Sequence, residues 1–173
     1  MITRADVEAA AVRTAGRVVR TPVLEARAAG RPVLFKLEFL QHTGTFKARG
    51  AVNRIAGAAE RGELDPEVGV VVASGGNAGL ANAWAAAALG VPATVFVPTT
   101  APRVKVDKLR HLGATVVQHG TEYATAYAAA VEHALSTGAV YCHAYDQPEI
   151  AAGAGTLGPV SYTHLTLPTI LRV

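Results

Sequence analysis

Apolar positions along the chain alternate between two patterns, unbroken β-branched runs and stripes at helical spacing. Val33-Leu34-Phe35-Lys36-Leu37-Glu38 reads as a short strand set off by Gly30 and Pro32. Val68 to Ala73 is a continuous run, as expected of a strand buried on both faces. Ala93 to Val97, Ala114 to Gln118 and Ala139 to Cys142 read as further strands. Between them, apolar residues recur three and four apart. Phe46 to Glu60 places Ala48, Val52, Ile55 and Ala59 on one helical face. Ala78 to Leu89 is alanine-dense and stopped by Gly90, and Pro102 opens a helix through Leu112 that Gly113 closes. Glu122 to Leu135 predicts another helix. Upstream, Thr3 and Asp6 have the spacing of a capping box for a helix carrying Val7, Ala10, Ala11 and Thr14. Arg20-Thr21-Pro22 then turns the chain extended. Strand and helix alternate at lengths suited to right-handed crossovers. The predicted class is α/β, an open, mainly parallel sheet with helices on both faces.

Composition narrows the class. The chain has 173 residues, 50% hydrophobic and 17% charged, which is too apolar for a disordered chain and long enough for a core without disulfides or metals. A net charge of +3 is too mild to suggest a nucleic-acid partner. No apolar run reaches the ~18–20 residues that cross a bilayer, and Met1-Ile2-Thr3-Arg4 opens on charge rather than on an apolar signal core. The single cysteine, Cys142, excludes an internal disulfide and fits a reducing compartment. The expectation is a cytoplasmic protein without membrane or nucleic-acid partners. His42, His119 and His143 lack metal-ligand spacing, and His111 and His133 fall in predicted helices, so no metal is expected.

Ligands of open parallel sheets sit where strands end and loops lead into helices. Two such loops stand out. In Ala73-Ser74-Gly75-Gly76-Asn77-Ala78-Gly79, glycines uncover backbone amides ahead of a helix, a ready site for a carboxylate or phosphate. Ser74 and Asn77 could add side-chain hydrogen bonds. A plain strand-to-helix turn with Asn77 as N-cap explains the same residues. A dinucleotide reading fails, because Val97-Pro98-Thr99-Thr100 offers no acid at the next strand end. In Gln41-His42-Thr43-Gly44-Thr45-Phe46-Lys47, the lysine falls in the first turn of its helix. The positive end of a helix disfavours a cation there, and a neutral lysine is a nucleophile able to form a Schiff base. A solvated lysine beside Arg49 is the plainer alternative.

Taken together, the two loops carry a resemblance. The segment Lys36-Leu37-Glu38-Phe39-Leu40-Gln41-His42-Thr43-Gly44-Thr45-Phe46-Lys47-Ala48-Arg49-Gly50-Ala51 resembles the active-site lysine segment of pyridoxal-phosphate enzymes of the tryptophan-synthase-β fold type. Its Phe-Lys-x-Arg-Gly is similar to the serine/threonine dehydratase branch, which also includes serine racemases. Ser74-Gly75-Gly76-Asn77-Ala78-Gly79 resembles that branch's substrate loop. Leu89 to Pro98 and Leu112 to Val116 are similar to the next two strand entries, and His143 to Pro148 with Gly153 to Gly158 resemble the return into the larger domain. The likeness runs from about Thr3 to Gly158.

The resemblance implies residues about 1–40 as a flank of the larger domain, about 41–145 as the smaller domain and about 146–158 as the return. It implies that Lys47 would hold pyridoxal 5'-phosphate and later move the substrate's Cα proton. Phe46 would lie near the cofactor ring and Asn77 would hydrogen-bond its phenolic oxygen, while Ser74, Gly75, Asn77 and Ala78 would hold the substrate carboxylate. The implied reaction is β-elimination of serine or threonine to a 2-oxo acid and ammonia, in a full-length parent that is a homo-oligomer. A serine racemase, another β-eliminating amino-acid lyase, or an inactive anion-binding fragment are the alternatives. Thr45 stands where serine is common and keeps the hydroxyl. Ala78 stands where many biosynthetic-type threonine dehydratases have histidine and is closer to the serine-dehydratase type, which leaves the preferred amino acid open. Family members are roughly twice as long, with a glycine-rich phosphate loop and a pyridine-nitrogen partner beyond Gly158, so a truncated and inactive chain is expected. The alanine-free stretch 159–173, with Ser161-Tyr162-Thr163-His164-Leu165-Thr166-Leu167-Pro168-Thr169, resembles translated adapter sequence and is expected to be non-native.

Overall fold

The computed structural model describes residues 1–158, so the expectation for the tail lies outside the described residues. Helix α1 (Arg4–Thr14) starts on the predicted capping box: the Asp6 amide donates to Thr3 Oγ1 at 3.3 Å, and the Thr3 amide donates to Asp6 Oδ2 at 2.7 Å. The chain then forms an antiparallel hairpin, β1 (Val23–Ala28) and β2 (Arg31–Lys36). Only its second strand is evident from the apolar pattern, and that strand ends at Lys36, with Glu38 already in a 3-10 turn. The tight turn is made by Ala29 at φ 50° and Gly30 at φ 76°, the left-handed pair that matches the twist of a two-residue hairpin.

A four-stranded sheet follows, built from β3 (Val70–Ala73), β4 (Ala93–Val97), β5 (Thr115–Gln118) and β6 (Val140–Tyr141). All its pairings are parallel, in the order β5-β4-β3-β6. Alternation along each strand splits the core in two. Val70 and Val72 face one way with Val95, Val97 and Cys142, and pack on α2 (Lys47–Glu60), α3 (Asn77–Ala88) and α4 (Arg103–His111). Val71, Ala73 and Phe96 face the other way, against Ala126 and Ala130 of α5 (Tyr123–Thr137). Helices on both faces of a parallel sheet agree with the expected class.

Helix α2 is buried more completely than one stripe requires. Of its expected face, Ala48, Val52 and Ile55 are buried but Ala59 is exposed, because α2 ends beside it at Glu60. Its other side meets α6 (Pro148–Gly155), a short helix that the apolar pattern leaves unassigned. The two backbones nearly touch: a Cβ on Gly153 would stand 2.6 Å from the Arg49 carbonyl oxygen and 2.7 Å from Gly50 Cα. Asn53 ties the pair, donating to the Glu149 carbonyl at 2.7 Å and accepting from Arg13 of α1 at 2.8 Å. Among the described residues, no helix is long and apolar enough to cross a membrane.

Candidate active site

From β3 the crossovers run outward to β4 and β5, whereas β6 lies on β3's other side. The chain thus reverses its direction of build between β3 and β6. The crevice at the carboxyl ends of two such strands is where open α/β sheets bind ligands. Three segments of the chain meet that edge: the loop after β3, the loop after β6, and the N-terminus of α2.

Lys47 is the first residue of α2, and Phe46 before it is the N-cap. The Lys47 amide donates to Thr45 Oγ1 at 3.3 Å, so the hydroxyl at position 45 supplies a cap. The half-buried Lys47 side chain reaches across to the loop after β6, where Nζ donates to the Ala144 carbonyl at 2.9 Å. The same Nζ lies 5.1 Å from the centre of the half-exposed Phe46 ring. The Lys47 amine is thus bonded to a carbonyl of another loop.

Arg49 has a different task. It is 1% exposed and binds Glu38 through both ends of its guanidinium, Nε to Oε2 at 2.9 Å and Nη2 to Oε1 at 2.7 Å. Nη2 also donates to the Val19 carbonyl at 3.1 Å, and Thr21 donates its hydroxyl to Glu38. Burial alone would push the Glu38 carboxyl up, but the hydrogen bonds from Arg49 and Thr21 and the charges of Arg49 and Lys36 hold it below the usual carboxylate range. Burial, then the Arg49 charge, pushes the Lys36 amine down. Gln41, 4% exposed, bonds both the amide and the carbonyl of Val19. These groups bolt the first turn of α2 to the segment before the hairpin. Sequence reasoning missed their role, although Glu38 and Arg49 are opposite charges within the one lysine segment.

In the loop after β3, Ser74 Oγ accepts from the Gly76 amide at 3.2 Å. The N-cap of α3 is Gly76, not Asn77, and it has no side chain to bond. Asn77 is instead the first helical residue and is exposed, while Ala78 is buried. The first helical amide to find a partner is that of Leu80, with the Gly76 carbonyl at 3.1 Å. The amides of Asn77, Ala78 and Gly79 ahead of it have no helical partner and present the positive end of a 12-residue helix. At Gly79 any side chain would force the backbone to shift, since a Cβ there would stand 1.9 Å from the Ser74 carbonyl oxygen. Gly75 lies against Val97, whose Cγ1 would be 3.3 Å from a Cβ. Among the described residues, no hydrogen bond joins the Lys47 amine to this loop.

Two of the histidines are accounted for by packing: His42 stacks on Trp84 at 4.0 Å between centroids, and His133 tilts against Phe96 at 5.5 Å. Among the described residues there is no cluster of three or more His, Cys, Asp or Glu able to hold a metal ion. A cavity of about 730 Å³ lies between Thr43, α3 and α4, but neither Lys47 nor Ser74 lines it.

An accessible amine beside an aromatic ring, and a glycine loop opening on a bare helix terminus, fit a cofactor that offers an aldehyde, a flat ring and a polar rim. Comparison with known proteins agrees. L-threonine ammonia-lyase of Thermotoga maritima is 40% identical over 163 residues, covering 91% of this chain and 40% of that protein. Serine racemase of Bos taurus is 35% identical over 160 residues, covering 90% of this chain and 48% of that protein. The chain therefore spans less than half the length of either relative. The solved structure of the processed form of threonine deaminase isoform 2 from Solanum lycopersicum superposes with a TM-score of 0.82 at 32% identity, over 94% of this chain and 44% of that one. The profile of the family described as pyridoxal-phosphate dependent enzyme matches residues 15–164, and the chain belongs to that family.

Proposed function

We propose that this chain is the N-terminal part of an enzyme that removes the β-hydroxyl and the amino group from L-serine or L-threonine, releasing a 2-oxo acid and ammonia. The observation that carries this reading is the Lys47 amine standing at the carboxyl edge of the sheet, 2.9 Å from the Ala144 carbonyl. Its likeness to a threonine ammonia-lyase supports the choice of reaction. When bound, pyridoxal phosphate supplies the conjugated ring that takes up the electron pair left at the substrate's Cα.

The chain's own residues would divide the remaining work. Lys47 would hold the cofactor through Nζ, and the same atom would take the substrate's Cα proton. Phe46 would lie near the ring, and Asn77 would bond its phenolic oxygen. Ser74, Gly75, Asn77 and Ala78 receive the substrate carboxylate on a hydroxyl and on amides that the helix leaves unused. Ala78, small and buried, leaves the substrate's β-substituent unrestricted by a ring at that position, which supports serine alongside threonine. The exposed apolar side chains Leu24, Leu34, Phe35, Phe39 and Leu40 are suited to cover by further protein, and support both a larger second domain made by 1–40 and 146–158 with the rest of the protein, and a homo-oligomer. A free thiol at Cys142 supports a cytoplasmic location.

The test uses the full-length protein. Lys47→Ala should abolish the yellow absorbance of bound cofactor and lower ammonia release from serine and threonine by at least ~10³-fold. Survival of both would overturn the assignment. The likeness to serine racemase favours a second reading, and product analysis separates the two: a 2-oxo acid supports the lyase, a D-amino acid the racemase.

A further inference from the structure

We infer that His143 is a positioning residue: its imidazole shapes the loop whose carbonyl holds Lys47. The loop after β6 contains no glycine, yet it turns sharply between Tyr141 and Pro148. Three of its amides are taken by side chains of the loop itself. His143 Nδ1 accepts from the Asp146 amide at 2.8 Å and from the Tyr145 amide at 3.2 Å. Gln147 closes the ring, its Oε1 accepting from the His143 amide at 2.8 Å and its Nε2 donating to the Tyr141 carbonyl at 3.1 Å. Ala144, between the histidine and the two amides it binds, is left with its carbonyl pointing at Lys47 Nζ.

The ring is held from outside as well. Tyr145 meets it edge-on at 4.7 Å, Tyr127 of α5 at 6.2 Å and Tyr141 at 6.3 Å. In both bonds Nδ1 serves as the acceptor. What the loop requires of position 143 is therefore an acceptor one bond beyond Cγ. Asparagine offers such an acceptor in its Oδ1, whereas phenylalanine keeps the aromatic contacts and offers none. A lysine side chain has four rotatable bonds, and a carbonyl that fixes its amine raises the amine's effective concentration at the site.

The proposal rests on Lys47 as the cofactor-holding residue, and the experiment separates the two ideas. In the cofactor-free full-length protein, amide hydrogen exchange at Tyr145 and Asp146 and the rate of pyridoxal phosphate capture, trapped with borohydride and mapped to Lys47, are compared. His143→Phe should lose at least tenfold protection at both amides and slow capture about tenfold, with Val71 and Val95 in the sheet protected as before. His143→Asn should restore both to within about threefold of the parent. If phenylalanine behaves like the parent, or asparagine fails as phenylalanine does, the positioning role is wrong. Capture that persists in Lys47→Ala would instead overturn the lysine reading while leaving the exchange result at Tyr145 and Asp146 intact.

Discussion

The loops after the neighbouring strands β3 and β6 reach the same end of the sheet by opposite means. The loop after β3 is shaped by what its residues lack: Gly79 lets the first turn of α3 close on the Ser74 carbonyl, and Gly76 leaves the helix start bare. The loop after β6 is shaped by what its residues carry, an imidazole and a carboxamide that take up its amides. A binding edge needs open amides on one side and a fixed acceptor on the other. Glycine gives the first at low steric cost, and side-chain hydrogen bonds give the second.

The strongest test concerns the wall that both loops share, the N-terminus of α2, which is held by charge. Replacing Arg49 with methionine leaves the partly buried Glu38 without its main partner, at a cost of about 3 kcal/mol, read as a lower denaturant midpoint. Acid should act on the same pair. The folded Glu38 carboxyl sits below its unfolded value, so its contribution is complete above the ordinary carboxylate range, near pH 4.5, and is lost as pH falls through the folded value. Glu38→Gln should therefore flatten the loss of stability below pH 4.5. A variant that follows the parent curve would remove the pair from the account.

Next in size is the glycine loop. Gly79→Ala should cost about 2–3 kcal/mol, since the clash is with backbone that has no rotamer to yield. Gly76→Ala has nothing nearer its Cβ than Ser74 Oγ at 3.8 Å and adopts φ −108°, open to any L-residue, so it should cost under ~1 kcal/mol. Equal losses would mean that the loop does not depend on close approach. For the other loop, Gln147→Ala removes two hydrogen bonds and should cost about 1–2 kcal/mol, with faster exchange at the His143 amide.

The same contrast explains what could be read from the chain. Ser74 to Gly79 is legible because the constraint is local, with glycine after a β-branched run and before an alanine helix. Lys47 is legible because its place follows from one helix start. The parallel direction of the strands follows from alternation of elements. The hairpin strand β1 was not legible, since Val23–Ala28 shows burial at only every third residue and its turn uses Ala29 in a left-handed conformation that its side chain does not advertise. Helix α6 is eight residues long and mostly alanine and glycine, too short to show a period. The roles of Arg49 and His143 depend on partners 11 residues away at Glu38 and across the sheet edge at Lys47, 97 residues away from Ala144, which no local pattern encodes.

The smallest effect expected is also the most direct reporter on the comparison. Cys142 immediately precedes the loop after β6, is 0% exposed, and its thiol is pushed up to about 12 by burial. The thiolate is the reacting species, so alkylation at neutral pH should be slow, limited by opening of the structure around residue 142. The Cys142 amide is bonded to the Val71 carbonyl at 2.8 Å, which ties that opening to the sheet as well as to the loop. Iodoacetamide labelling followed by mass spectrometry should therefore be unchanged by Gly76→Ala, on the other loop, and accelerated several-fold by Gln147→Ala. Equal acceleration by both would show that the two loops open together, as one cooperative edge. Acceleration by Gln147→Ala alone would show that each loop is held by its own device, and that the acceptor facing Lys47 can be loosened without disturbing the amides at the start of α3.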